Sequence, residues 1–198
     1  MHKRALCAPM MTLFLLLAAC GGGAGTGNDQ LALDIRADYL EMNGCTAKLD
    51  VTADYGQRVY EYTLALTYAR EGDTLLTVVA PDIIAGVTAR VSKDSAALEY
   101  DGVSLETGPL DDQGLSPLSA APVLLACARE SFIAESALET VGETEALKVT
   151  YRDPESTPGT GREVSLWFDA NTHAPLQGEI LSDGYQVIRC TFTEFAMT

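Results

Sequence analysis

The sequence predicts an α+β fold: an antiparallel meander of short strands with helices packed against one side of it. Three observations lead there. From Cys45 to Tyr55 apolar and polar residues alternate without a break, a period explained by a strand with one wet face. Turn signals then recur at short intervals (Gly56-Gln57, Glu71-Gly72-Asp73, Pro81-Asp82, Asp101-Gly102), which leaves no room for crossover helices and makes neighbouring strands antiparallel. The stretch Leu118 to Ala128 is apolar almost all round, the pattern of a helix covered on more than one side, as in the concavity of a curved sheet.

Taken in order, Leu31, Ile35, Tyr39, Leu40 and Met42 recur near helical spacing and Gly44 stops the turn, so a helix is expected over 31–43. A strand follows over 45–55. In the next one Tyr60, Tyr62, Leu64, Leu66 and Tyr68 share a face. Further strands are expected over 74–80, 87–91, 97–100 and 103–107. Gly108 to Gly114 breaks the pattern. Ser116 then reads as a helix cap with Pro117 in the first turn, and Pro122 as a bend or restart. Strands resume over 146–151, 163–168, 176–181 and 185–195. They are separated by a Pro/Ser/Thr/Gly-rich loop at 153–161 and by turns at Asp169-Ala170-Asn171-Thr172 and Ser182-Asp183-Gly184. The total is about ten strands, one helix before them and one helical insertion among them.

Ahead of the domain, His2, Lys3 and Arg4 precede the apolar run Met10 to Leu17, which ends in Leu17-Ala18-Ala19-Cys20. The run is shorter than the ~20 residues a membrane span needs, and its layout is that of a secretory signal. The stretch resembles the lipobox of bacterial lipoproteins, which implies cleavage after residue 19 and diacylglyceryl attachment at Cys20. Three segments are therefore expected: a signal peptide over 1–19, a Gly-rich leash over 20–30, and one domain over 31–198. The anchor would place the domain outside the cytoplasm, on the outer face of the cytoplasmic membrane, or on an outer membrane if the host has one.

Removing residues 1–19 lowers Lys+Arg from 13 to 11 while Asp+Glu stays at 28, a mature net charge of −17. Such a surface repels nucleic acid and anionic lipid, and attracts basic partners or cations. Of five cysteines, Cys7 leaves with the signal and Cys20 carries lipid. Cys45, Cys127 and Cys190 remain, so at most one internal disulfide forms and one thiol is left over, buried or joining two chains as a homodimer. Cys45 with Cys190 is the pairing expected, since Cys127 sits in the apolar helix.

The stretch Ser165-Leu166-Trp167-Phe168-Asp169-Ala170-Asn171-Thr172-His173-Ala174-Pro175-Leu176, the closing Cys190-Thr191-Phe192-Thr193-Glu194-Phe195, the early helix and the apolar helix together resemble the LolA/LolB superfamily of lipoprotein carriers. That resemblance implies an incomplete, half β-barrel whose concave side is partly plugged by helices. Residues 45–56, Ala80-Pro81 with Ala85-Gly86, residues 98–102 and residues 106–110 look more like the GerS-type germination and sporulation lipoproteins of spore-forming bacteria. True carriers show Arg-Pro-Gly and Arg-Trp in the early hairpin, whereas Thr67 to Pro81 holds Arg70 and Gly72 without either. The GerS-type resemblance implies a lipid-anchored protein that supports a peptidoglycan amidase.

Little in the chain points to catalysis, so it is read as a binding protein without cofactor or metal. The mature chain has one histidine, His173, in an expected turn. Asp50 with Asp54 and Asp111 with Asp112 fit solvated charges better than a glycosidase pair or a calcium loop. The candidate lining of the concave face is Tyr60, Tyr62, Leu64, Leu66, Tyr68, Leu118, Val123, Leu124 and Trp167. These residues either pack as plain core beneath the helices or surround a cavity for an acyl chain. Two functions follow: holding a partner protein, or carrying a lipid or lipoprotein. An exposed edge strand or an unpaired cysteine favours the first.

Overall fold

The computed structural model describes residues 23–92 and 95–198. The proposed signal and Cys20 lie outside them. Helix α1 (Gly23–Glu41) is followed by β1 (Gly44–Asp54), β2 (Val59–Ala69), β3 (Thr74–Ala80), β4 (Thr88–Val91), β5 (Ala96–Tyr100) and β6 (Val103–Glu106). Helix α2 (Pro117–Glu130) then leads into β7 (Ile133–Val141), β8 (Thr144–Arg152), β9 (Arg162–Asp169), β10 (Pro175–Ser182) and β11 (Tyr185–Met197). All eleven strands form one antiparallel sheet in the order β6-β5-β4-β3-β2-β1-β11-β10-β9-β8-β7. The sheet is two meanders joined where β1 pairs with β11. Among the described residues strands β6 and β7 are its two edges, so the barrel stays open: an α+β half-barrel, the open shape that the resemblance implied.

The alternation in β1 does what its period requires. Cys45, Ala47, Leu49, Val51 and Ala53 are buried, and across the β1–β2 register they meet Tyr68, Leu66, Leu64, Tyr62 and Tyr60. In β11 the register with β1 slips at Lys48/Leu49, and Thr193 Oγ1 donates to the Lys48 carbonyl at 3.1 Å. This bulge lets Ile188, Cys190 and Phe192 on one side of it, and Phe195 and Met197 on the other, all reach the core.

Several expectations are corrected. The first helix begins at Gly23 rather than near Leu31, so residues 23–30 are helical and not a leash. At its exposed start Gln30 Nε2 donates to Asp34, and Asp29 accepts from Ser136 of β7 at 3.0 Å, which ties this turn to the sheet edge against the helical cost of glycine. Strand β7 makes an eleventh strand where none was expected. Helix α2 runs through Pro122 as one element.

The expected Cys45–Cys190 disulfide is not formed: Cys45, Cys127 and Cys190 are all buried free thiols. Register explains why. Cys190 lies opposite Val51, six residues along β1 from Cys45, which is about 20 Å of strand against the ~7 Å of Cα separation a bridge tolerates.

Candidate binding face

The concave face carries the candidate site, and α2 occupies much of it. Ser116 caps α2: its Oγ accepts from Ser119 N at 3.2 Å, and Ser119 Oγ accepts from Ser116 N at 3.1 Å. From that fixed start Ala120, Ala121, Leu124, Leu125, Cys127 and Ala128 are buried. Gly178 of β10 makes the seat. A Cβ there would stand 2.6 Å from Leu124 Cδ1 and 3.2 Å from Leu166 Cδ2, so glycine is what lets the helix lie this close to the sheet.

Helix α1 locks α2 in place. Its Ala32, Ile35 and Tyr39, and Met42 just beyond its end, face the core. Arg36 donates to the carbonyls of Ala128 and Ser131, satisfying the C-terminal end of α2. Tyr39 packs edge-on against Phe168 at 5.4 Å, stacks on Phe195 at 6.2 Å, and donates its hydroxyl to the His173 carbonyl at 3.2 Å. His173 itself pairs with Asp38 of α1 at 2.6 Å, which gives the turn histidine a structural partner.

The predicted lining residues divide three ways. Leu64, Leu66 and Leu124 are no more than 2 % exposed and form core between sheet and helices, with Leu118, Val123, Tyr62 and Tyr68 half-buried around them. Tyr60 lies at the rim, 38 % exposed and edge-on to Tyr55 at 6.0 Å. Trp167 is a correction. Val164, Leu166 and Phe168 point into the core, so the intervening Trp167 faces the convex side. There its Nε1 donates to Glu139 at 2.8 Å, and the Lys148 ammonium sits 4.8 Å from the ring centre.

A cleft of about 480 Å³ opens at the mouth, between the end of α2, the 153–161 loop and β8–β9. Cys127, Tyr151 and Val164 are among its walls, together with Arg152 and Arg162. Arg152 is already held by Glu163 at 3.2 Å and Glu135 at 3.5 Å, and Arg162 donates to the Asp112 carbonyl at 2.9 Å. Burial pushes the thiols up, Cys45 to about 11 and Cys190 to about 12, and also raises Cys127 against the opposing Ser131 hydrogen bond and Arg162 charge. Such thiols are unreactive at neutral pH. Among the described residues no three His, Cys, Asp or Glu are grouped to hold a metal, and no helix is long and apolar enough to cross a membrane.

Sequence reasoning missed the far wing of the sheet. Leu98 and Leu105 line up with Ala89 and Leu76 across the register, so Tyr100, Val103 and Leu105 continue the apolar concave surface beyond the helices. They are 57, 69 and 63 % exposed. The signal was present in Val103-Ser104-Leu105-Glu106, whose alternation shows that one face is apolar but not that it stays uncovered.

No protein-family model matches the sequence, and no curated protein matches it significantly. Solved structures share the fold. An uncharacterized conserved protein from Thermus thermophilus aligns over 86 % of this chain and 87 % of its own, with 12 % identity and a TM-score of 0.51. A LolA superfamily protein from Nitrosomonas europaea aligns over 86 % and 93 %, with 11 % identity and a TM-score of 0.45. The complex of the Clostridioides difficile CwlD amidase with the GerS lipoprotein contains a chain that aligns over 85 % and 94 %, with 17 % identity and a TM-score of 0.43. At these identities the likeness is one of fold.

Proposed function

We propose that this is an extracytoplasmic protein, anchored through a diacylglyceryl group on Cys20, that holds a partner protein at the membrane. One observation carries the reading. The concavity is filled by the protein's own α2, whose Leu124 is buried in one core with Leu64 and Leu66 of β2, while Tyr100, Val103 and Leu105 stay exposed at an edge of the sheet. An acyl carrier needs the reverse, an apolar chamber enclosing its cargo. The resemblance of residues 45–56, 98–102 and 106–110 to GerS-type lipoproteins makes a cell-wall amidase the first partner to try.

The test is mass spectrometry of the full chain made with its own signal in a lipidating bacterium. The denatured mass should show residues 1–19 removed and a lipid on Cys20, and Cys20→Ala should move the protein out of the membrane fraction. The native mass should equal the denatured one. An additional fatty acid or phospholipid, lost on denaturation, would overturn the reading in favour of a lipid carrier.

A further inference from the structure

The partner-holding reading leaves open how a partner is held, and edge strand β6 answers in chemical terms. Thr107 N donates to the Ala96 carbonyl at 2.9 Å. In an antiparallel ladder this fixes the phase: Leu98/Leu105 and Tyr100/Val103 are the hydrogen-bonded pairs of β5 and β6. Ser104 and Glu106 therefore turn their backbone N–H and C=O groups away from β5, toward the open side of the edge. Their side chains lie on the convex face, while Val103 and Leu105 lie on the concave one, and all four residues are exposed. Among the described residues nothing pairs with this side, so strand β6 offers main-chain donors and acceptors, an apolar strip on one face and an acid on the other.

Charge selects the occupant. From residue 95 to residue 128 the chain contains Glu99, Asp101, Glu106, Asp111 and Asp112, and neither lysine nor arginine. Glu99 is committed to Arg90 at 2.8 Å. A second copy of this chain would bring a second acidic edge, from a mature chain of net charge −17. A basic strand meets no such opposition.

We infer that β6 binds an extended segment of a partner by strand addition, and that this segment alternates basic with β-branched apolar residues. An incoming antiparallel strand bonded to Ser104 and Glu106 places the residues opposite them on the convex face, within cross-strand reach of the Glu106 carboxylate. The residue between them falls on the concave face, against Val103, Leu105 and Tyr100. The period-two pattern of the partner follows from the pleat of β6.

This inference rests on the partner-holding reading, and its test separates the two. The full chain, purified from membranes in a nonionic detergent, is titrated into a fluorescent ten-residue peptide of alternating lysine and valine. Fluorescence polarisation should show binding about tenfold or more tighter than to the same peptide N-methylated at alternate amides, or with glutamate for lysine. Ser104→Pro removes one outward N–H and leaves the β5 ladder whole, because an edge strand tolerates proline where its N–H faces solvent. It should weaken binding about tenfold, as should Glu106→Lys. Glu155→Lys, in the 153–161 loop, should not.

Equal binding of the N-methylated peptide overturns strand addition whether or not Ser104→Pro folds. So does binding unchanged in a folded Ser104→Pro, or no binding of the lysine peptide at all. A dimer by light scattering that Ser104→Pro dissolves overturns the choice of occupant. In each case the partner-holding reading survives, since it falls only on a lipid-loaded native mass.

Discussion

Exchanging the methyl groups between Gly178 and Leu124 tests whether α2 is a fixed plug. In Gly178→Ala the new Cβ would lie 2.6 and 3.0 Å from the two Leu124 methyl carbons and 3.2 Å from Leu166. Ordinary contact begins near 3.4 Å, so the leucine must retreat by most of an ångström. It is 1 % exposed and has little room to do so. Overpacking of this kind costs about 1–3 kcal/mol. Leu124→Ala empties the same space and costs about 3 kcal/mol.

In the double variant the alanine methyl at 178 enters the space that Leu124 vacates, so the two losses should fall short of their sum by about 1–2 kcal/mol. Urea unfolding followed by the fluorescence of Trp167 reads all three. With a slope of about 2 kcal/mol per molar, Gly178→Ala should lower the midpoint by about 1 M. Additivity within about 0.5 kcal/mol would refute the seating of Leu124 on Gly178, and with it the self-filled concavity.

Other outcomes follow from the same geometry. Processed and lipidated as proposed, the chain should present no thiol to Ellman's reagent when native at pH 8 and three when unfolded in urea; a count of one would establish a disulfide. The Cys45 and Cys190 thiols are raised by burial, to about 11 and about 12. The stability they contribute is therefore complete below the unfolded thiol value near 8.5, and is lost as pH climbs from there through 11 to 12. Urea midpoints should be level from pH 7 to 8 and fall by pH 10.5, and a flat profile would contradict buried thiols. Ser116→Ala removes the cap of α2 and should cost about 1 kcal/mol, read as a fall in the same midpoint.

Legibility in the sequence tracked how cleanly one face of an element was wet. In β1 five buried residues alternate with exposed or half-exposed ones, and its period could be read directly. Helix α2 announced itself through Ser116-Pro117 and an apolar run too long for a strand. Strand β7 was invisible because neither of its faces is well buried, leaving Ile133 to Val141 without a clear period. Leu166-Trp167-Phe168 misled for the opposite reason: both faces of β9 are covered there, so hydrophobicity could not say which side Trp167 took. The disulfide was a matter of register, and the β1–β11 pairing that forbids it joins residues far apart in sequence. For the candidate site, the acidity and the alternation of β6 were legible, but its place at an open edge required the strand order.

The β1–β11 joint also sets the order of events as the chain is made. Residues 44–106 leave first and can fold back on one another locally, yet β1 keeps one side unsatisfied until a strand about 150 residues later arrives. Until then Leu49 and Val51 lack Phe192 and Cys190 beside them, and the nascent half-sheet exposes a long sticky margin in a crowded compartment. The thirteen residues of β11 are thus the clasp between the two halves: a chain interrupted before them is left as two unjoined meanders.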